Sequence, residues 1–184
     1  MLVVRPVCSG PGTGSCMPDN TPLAAIDIGS NSFRLEVAQL HRGRYRRISY
    51  FKRMVRLGSG LDAQGRLGEE AMQRGLDCLR EMAQGLDGID RAHVRAVATQ
   101  TLREAANRNA FLARAQTVLG HPIEVISGRE EARLIYAGAS FLSPSDATRL
   151  VIDIGGRSTE LTRGRGREPP TAESFAVGSS GLSA

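Results

Sequence analysis

The chain carries the same short loop sequence twice, one domain length apart. The first copy follows an apolar run and reads Asp-Ile-Gly-Ser-Asn-Ser over residues 27–32. The second reads Asp-Ile-Gly-Gly-Arg-Ser over residues 153–158 and also follows an apolar run. A motif repeated at this spacing is typical of a duplicated domain that keeps the same loop in each half. The sequence therefore predicts a two-part fold with paired loops.

Apolar periodicity predicts the element order βββαβαβα before the second loop. Three strands of an antiparallel meander are expected within residues 23–57. Apolar residues spaced by three and four positions predict a helix over 69–86. A strand over 94–98, a turn or short helix over 99–106, a helix ending at Gly120 and a strand over 123–126 follow. The pattern is that of an α/β domain.

A helix start is predicted at Ser127, because Ser127 and Glu130 have the spacing of a capping box. Glu131 lies about 100° further round this helix, and Leu134 and Ile135 are its neighbours one turn on. A carboxylate at such an apolar border can have a raised pKa and act as a general base. The alternative is a structural carboxylate that favours the positive end of the helix. Spacing alone leaves both interpretations open.

The paired loops have the composition of a phosphate site. Tight glycine-containing turns present backbone N–H groups to an anion, and hydroxyl and amide side chains add donors. The candidate phosphate-binding residues are Gly29, Ser30, Asn31, Ser32, Gly155, Gly156, Ser158 and Thr159. The alternative is a pair of ordinary hairpins with Asx-type turns.

Acidic residues in the loops repel a bare phosphate but suit a metal. Asp27 and Asp153, with Glu160 as a third candidate, are therefore interpreted as Mg²⁺ ligands, because Mg²⁺ prefers oxygen ligands. Arg103 follows a predicted strand, where a guanidinium can clamp phosphate with two hydrogen bonds. The alternative for Arg103 is a surface arginine.

Composition excludes several classes of protein. The net charge is +5 with a pI near 9.7, and Lys52 is the one lysine, so arginine supplies the other basic charges. Such a surface attracts polyanions, but aromatics are 4% and Trp is absent, which disfavours stacking of nucleic-acid bases. There is no apolar run long enough for a membrane span. The three cysteines match no zinc spacing, so free thiols in a reducing cytoplasm are expected.

Four motifs, in this order, resemble the exopolyphosphatase / guanosine pentaphosphate phosphohydrolase (Ppx/GppA) family. They are Ala-Ile-Asp-Ile-Gly-Ser-Asn-Ser-Phe-Arg-Leu from Ala25, Ala-Thr-Gln-Thr-Leu-Arg from Ala98, Ile-Ser-Gly-Arg-Glu-Glu-Ala-Arg-Leu-Ile from Ile126, and Val-Ile-Asp-Ile-Gly-Gly-Arg-Ser-Thr-Glu-Leu from Val151. The resemblance covers residues 24–184.

This resemblance implies an α/β, actin-like ATPase (ribonuclease H-like) fold, cytoplasmic location and Mg²⁺-dependent removal of terminal phosphate from inorganic polyphosphate or guanosine pentaphosphate. It implies that Glu131 is the base and that Arg103 contacts phosphate. The phosphate loops fall on residues 29–32 and 155–159, and Asp153 and Glu160 match acidic positions near the metal. Full-length relatives often dimerise, so a homodimer is implied as well.

Two features depart from the family pattern. The third glycine of the family's second loop is replaced by Arg157, which would be strained if the position required a positive φ; the alternative is that Arg157 adds a cation for polyphosphate. The second departure is that only the start of a second domain is expected. The expected division is a flexible leader over 1–22, a first actin-like domain over 23–145 and a truncated start of a second over 146–184. That start is expected to hold three strands, no covering helix and one uncovered apolar face.

Three other functions stay open on the sequence. The chain can be a catalytically inactive, phosphate-binding fragment of the same fold. It can be a sugar or acetate kinase, since paired Asp-x-Gly loops occur in that superfold too, although the Ser-Gly-Arg-Glu-Glu-Ala-Arg motif from Ser127 argues against it. Nucleic-acid binding rests on charge alone.

Overall fold

A computed structural model of the chain describes residues 19–42, 44–166 and 168–180. The strands are β1 (Pro22–Ile28), β2 (Ser32–His41), β3 (Arg44–Met54), β4 (Val94–Ala98), β5 (Ile123–Val125), β6 (Arg149–Ile154), β7 (Thr159–Arg165) and β8 (Glu168–Phe175). The helices are α1 (Glu69–Gln84), α2 (Gln100–Glu104), α3 (Arg108–Leu119) and α4 (Gly128–Leu142), with short 3-10 turns at Leu57–Gly60 and Arg91–His93. The predicted order βββαβαβα is confirmed, with α2 as the predicted short helix.

The first five strands form one mixed sheet in the order β3-β2-β1-β4-β5. β1, β2 and β3 are antiparallel neighbours, as predicted for a meander, whereas β4 lies parallel to β1 and to β5. Parallel strands require long crossovers, and α1 lies in the connection from β3 to β4 while α2 and α3 lie in that from β4 to β5. The ends of β1 and β4 consequently lie side by side, with Ile28 paired to Ala98.

The main apolar core lies on one face of this sheet, the face that α1 and α3 cover. Because side chains alternate along a strand, Ile26 and Ile28 enter this core and Asp27 points to the opposite face. Leu134 of α4 packs on that opposite face, against Val97. The sheet therefore places Asp27 on the same side as α4.

The third strand ends earlier than the sequence predicts. Regular pairing stops at Met54, because the next two N–H groups, those of Val55 and Arg56, both donate to the Asn31 carbonyl oxygen at 2.9 and 2.8 Å. Gly58 N then donates to Ser30 O at 2.9 Å. The segment after β3 is thereby fastened to the first loop instead of extending the sheet.

The second sheet has the order β6-β7-β8, with antiparallel neighbours. As predicted, the described residues after position 146 form three strands and no helix of their own. One face of this sheet is covered by α4 of the preceding segment, which packs against β6, β7 and β8, and Glu160 and Thr162 are buried. The opposite face is apolar and exposed, as predicted, and carries Leu150, Ile152 and Ile154 of β6.

The predicted leader, residues 1–22, lies largely outside the described residues, which begin at Asp19. The predicted boundary at 145/146 falls in the segment between α4 and β6, and the division into domains stays a prediction. Within the described residues, no helix has the length and hydropathy to cross a membrane.

Candidate active site

The two repeated loops form the same hairpin turn. Gly29 N donates to Ser32 O at 3.2 Å, and Gly155 N donates to Ser158 O at 2.9 Å. A Cβ added at Gly29 would lie 2.9 Å from Ser32 O, and one at Gly155 would lie 3.0 Å from Ser158 O. Glycine avoids the same close approach at both positions. The repeat seen in the sequence is thus a repeat in structure.

These loops meet face to face. A Cβ on Gly156 would lie 2.7 Å from Cγ of Asn31, so the second loop passes directly over the first. Asn31 Nδ2 donates to Ser180 Oγ at 3.0 Å, and Ser180 N donates to Gly156 O at 2.9 Å. The structure therefore brings the predicted phosphate-binding loops together.

Besides Ser158, whose side chain hydrogen bonds to Glu160, two further predicted phosphate-binding hydroxyls already take part in internal hydrogen bonds. Thr101 Oγ1 donates to Ser30 Oγ at 2.8 Å, which leaves the proton of Ser30 available to another acceptor. Thr159 Oγ1 donates to Val177 O at 2.6 Å. The phosphate contacts of both residues stay predictions.

Glu131 is positioned by the start of α4. Ser127 is the N-cap, and its Oγ accepts from Glu130 N at 3.1 Å, as the capping box predicts. The Glu130 carboxylate is bound by Arg133 at 2.7 and 2.8 Å. The next residue, Glu131, is rotated by about 100° and turns inward to Arg103.

Arg103 and Glu131 form a half-buried ion pair that joins α2 to α4. Arg103 Nη1 lies 2.7 Å from Glu131 Oε2 and also donates to Ile126 O at 3.0 Å, and the two side chains are 17% and 15% exposed. Arg103 Nε donates to Gln100 Oε1 at 3.0 Å. Contacts on both sides fix the guanidinium plane, so the interpretation of Arg103 as a free surface arginine is wrong.

Burial raises the pKa of Glu131 to about 7, even though the hydrogen bond from Arg103 lowers it. The carboxylates of Glu160 and Asp27 raise it further. A raised pKa at this position agrees with the general-base interpretation made from the sequence. A carboxylate with a pKa near neutrality is suited to take a proton at physiological pH.

The three predicted metal ligands influence one another but do not form a ready-made metal centre. Burial, followed by the charge of Asp153, raises the pKa of Asp27, while Arg34, 3.6 Å away, lowers it. Burial also raises the pKa of Glu160, where Ser174 opposes and Asp153 adds to the shift. In the described part of the chain, no group of three or more His, Cys, Asp or Glu residues is arranged to hold a metal.

Glu160 nevertheless has an incompletely satisfied acceptor. Its residue is 1% exposed, and Ser174 Oγ donates to Oε1 at 2.9 Å. Oε2 is buried and has no partner at full hydrogen-bond geometry among the described residues, although the Ser158 hydroxyl lies close enough to the carboxylate to lower its pKa. Since an uncompensated buried carboxylate oxygen is costly, and since the neighbouring carboxylates repel one another, the donor set fits a hard cation with oxygen ligands.

Arg157 is not strained. The described non-glycine residues with positive φ are Asn20, Arg42 and Arg56, so Arg157 lies in an ordinary backbone region. The condition under which Arg157 would be strained, a positive φ, is therefore not met. Its guanidinium instead pairs with Glu104, with Nη2 2.8 Å from Oε2.

The structure adds residues that the motifs did not single out. Gln100 orients Arg103 through a hydrogen bond. The sequence could have predicted this contact, because residues three positions apart are neighbours on a helix. Ser174 holds Glu160 because β7 and β8 pair these two residues; no local pattern marks that partner. Glu104 pairs with Arg157 and Ser180 donates to Gly156, both in the second loop. No local sequence pattern predicts these two contacts, because the tertiary fold brings the partners together.

A model of the Ppx/GppA phosphatase family matches residues 36–183, most of the described chain. The chain belongs to the Ppx/GppA phosphatase family. Among similar proteins, the guanosine-5'-triphosphate,3'-diphosphate pyrophosphatase of Vibrio vulnificus (strain YJ016) is 50% identical over 160 residues, which are 86% of this chain and 32% of that protein.

Solved structures of Ppx/GppA proteins have a similar fold. An exopolyphosphatase from Cytophaga hutchinsonii is 33% identical with a TM-score of 0.81, over 88% of this chain and 52% of that one. The Ppx/GppA family member of Aquifex aeolicus is 32% identical with a TM-score of 0.77, over 86% of this chain and 52% of that one. The predicted actin-like ATPase (ribonuclease H-like) fold is confirmed. The chain spans about a third of the Vibrio protein and about half of these two structures.

Proposed function

We propose that this Ppx/GppA chain is an exopolyphosphatase-type phosphohydrolase that removes terminal phosphate from inorganic polyphosphate. The observation that carries the proposal is the Arg103–Glu131 pair, which joins a fixed guanidinium to a carboxylate of pKa about 7. This pair lies on the side of the sheet to which Asp27 and the first loop project. A cation that clamps phosphate and a base that accepts a proton are the two groups that hydrolysis of a phosphoanhydride requires.

Charge neutralisation is the first task of such a site. A terminal phosphate carries negative charge that repels an attacking water, and positioned donors offset that charge in the transition state. The backbone turns at Gly29 and Gly155 and the guanidinium of Arg103 supply the donors. Arg103 is held by Gln100 and the Ile126 carbonyl, so little reorganisation is needed when phosphate arrives.

Proton removal is the second task, and Glu131 carries it. Its carboxylate orients a water and takes a proton as the water oxygen bonds to the terminal phosphorus. The phosphoanhydride P–O bond breaks, and the shortened polyphosphate leaves on the bridging oxygen. Losing a positioned base of this kind lowers the rate by about 10²–10⁴-fold. Burial raises the pKa of Glu131 to about 7, and the hydrogen bond from Arg103 opposes that rise.

Mg²⁺ belongs to the proposal through Asp153, Glu160 and Asp27. The buried Oε2 of Glu160, which has no partner at full hydrogen-bond geometry among the described residues, and the mutual repulsion of these carboxylates support a cation among them. When bound, Mg²⁺ supplies positive charge that neutralises phosphate oxygens.

Guanosine pentaphosphate is the second candidate substrate. The 50% identity to the Vibrio vulnificus pyrophosphatase favours it, and its 5′ end presents the same terminal phosphoanhydride to the site. A cytoplasmic location is consistent with Cys78, which is buried and forms no disulfide. The homodimer that the resemblance implies stays a prediction.

Phosphate release is the experiment that tests the proposal. The chain is incubated with long-chain polyphosphate or guanosine pentaphosphate, with Mg²⁺ and with EDTA, and orthophosphate is measured over time. Release that requires Mg²⁺ supports the proposal, and the faster substrate identifies the preference. Binding of polyphosphate without release would favour the catalytically inactive alternative, and transfer from ATP to a small acceptor would favour the kinase.

A further inference from the structure

Arg157 belongs to the second loop but reaches across to the first. A Cβ built on Gly58 would lie 2.7 Å from Cδ of Arg157, 3.0 Å from Thr101 Oγ1 and 3.3 Å from Ser30 Cβ. The stem of Arg157 therefore occupies the space above Gly58, beside the first loop. Its guanidinium ends on α2, where Nη2 and Nε lie 2.8 and 3.3 Å from Glu104 Oε2.

Two residues of α2, Arg103 and Glu104, each form an ion pair with another part of the chain, and the two pairs differ in exposure. Arg103 and Glu131 are 17% and 15% exposed, whereas Arg157 and Glu104 are 37% and 35% exposed. Gln100 connects the two pairs, because its side chain hydrogen bonds to both Arg103 and Glu104. The Arg157–Glu104 pair is therefore the more exposed neighbour of the Arg103–Glu131 pair, linked to it through Gln100.

We propose that Arg157 is a specificity-determining residue that binds the phosphate groups next to the terminal one, and that it exchanges Glu104 for these phosphates when a polyphosphate enters. This inference rests on the proposed function and names a contact beyond the cleaved group. It also assigns a role to the residue at which the chain departs from the family's third glycine.

Replacing Glu104 by phosphate as the partner of Arg157 is energetically favourable for the following reasons. An ion pair this exposed contributes little to stability, so separating Arg157 from Glu104 costs little. The guanidinium fork matches the oxygens of phosphate and binds them in a bidentate manner. A phosphate in a polyphosphate chain has neighbours that are also anionic, so it competes well with a single carboxylate.

Isothermal titration of the full chain with Mg²⁺, carried out in a Glu131→Gln background so that tripolyphosphate is bound but not hydrolysed, tests the inference with two ligands. Tripolyphosphate extends beyond the terminal group, whereas orthophosphate does not. Arg157→Ala is expected to raise the Kd for tripolyphosphate about tenfold, as for loss of one charged hydrogen-bonded contact, and to leave the Kd for orthophosphate unchanged. Glu104→Gln removes the competing charge and is expected to tighten tripolyphosphate binding.

Arg80→Ala is the matched control. Arg80 is also an arginine paired with a carboxylate, Asp77, at 2.6 Å, so its loss changes the net charge equally. Ala71 is the α1 residue that contacts Gly60, close to the Gly58 position beside Arg157. Arg80 lies nine residues, or about 13 Å, further along the helix than Ala71, away from Arg157. This variant is expected to bind both ligands as the Glu131→Gln parent does.

Each other result overturns a defined part of the account. If the Glu131→Gln parent binds tripolyphosphate and Arg157→Ala matches Arg80→Ala, Arg157 has no role and the proposed function stands. If Arg157→Ala weakens both ligands equally, its effect is on the terminal phosphate or on the fold, and the inference fails. If the Glu131→Gln parent binds neither ligand, the proposed function fails together with the inference.

Discussion

Arg103 Nη1 lies 2.7 Å from Oε2 of Glu131, and this contact joins the helix after β4 to the helix after β5. The parallel pairing of β4 and β5 places the ends of both strands at one edge of the sheet. Ligand sites of α/β sheets form at the carboxyl ends of strands. The ion pair is therefore a consequence of sheet topology as much as of the two motifs.

The titration of Glu131 gives the first prediction. Its pKa is raised to about 7 by burial, and the ionised form is the base. Phosphate release should therefore rise with pH up to about 7 and level off above it. Carbon-13 NMR of the side-chain carboxyl in the metal-free chain, assigned with Glu131→Gln, measures the pKa directly. A midpoint near the ordinary 4.5 would contradict the buried environment.

The geometry of Arg103 gives the second prediction. Its guanidinium contacts Glu131, the Ile126 carbonyl and Gln100 at once, and lysine has no fork with which to repeat these contacts. Arg103→Lys should lower kcat about 10²–10³-fold, as for loss of a transition-state donor.

Arg114→Lys is the control for that variant, because Arg114 pairs with Glu69 at 2.7 Å and both of these side chains are exposed. Its kcat should match that of the wild type. Equal kcat values for the two lysine variants would exclude Arg103 from the chemistry.

Much of this arrangement could be predicted from the sequence where local patterns carry it. The duplicated loops, the cap at Ser127 and the apolar border of Glu131 are local features, and each predicted a property that the structure has. Contacts made between distant strands left no such signal. Ser174 faces Glu160 only because β8 pairs with β7, and the two prolines at 169 and 170 weaken the strand pattern of that edge strand.

Arg157 shows the limit of motif comparison. A missing glycine suggests strain only if the position has a positive φ, and the sequence does not contain that angle. The end of β3 is similar, since Val55 has strand-like character but its N–H donates to Asn31. In both cases the tertiary fold, and not the residue type, decides the backbone.

The repeated turns give the third prediction. Gly29→Ala and Gly155→Ala place a Cβ 2.9 and 3.0 Å from a carbonyl oxygen, so each should destabilise the fold by about 1–3 kcal/mol and weaken binding of orthophosphate. Gly68→Ala is the control, because its Cβ would lie 3.7 Å from Gly60 O. Thermal unfolding and phosphate titration of the three variants test this; wild-type behaviour of both loop variants would remove the steric argument.

The buried Oε2 oxygen of Glu160 gives the fourth prediction. Mg²⁺ should raise the Tm of the wild-type chain, because a bound cation stabilises the folded state. Asp153→Asn and Glu160→Gln should each reduce that increase, whereas Glu173→Gln, on an exposed side chain, should not. A Tm that does not respond to Mg²⁺ would show that these carboxylates hold no metal in this chain.

Orthophosphate release from long-chain polyphosphate by wild type and Glu131→Gln, with polyphosphate binding measured on the same samples, tests the central claim most directly. We predict that Glu131→Gln lowers kcat about 10²–10⁴-fold and leaves the Kd for polyphosphate close to the wild-type value, because the amide keeps the shape of the carboxylate but takes no proton. Equal kcat values for the two proteins would contradict the assignment of Glu131 as the base.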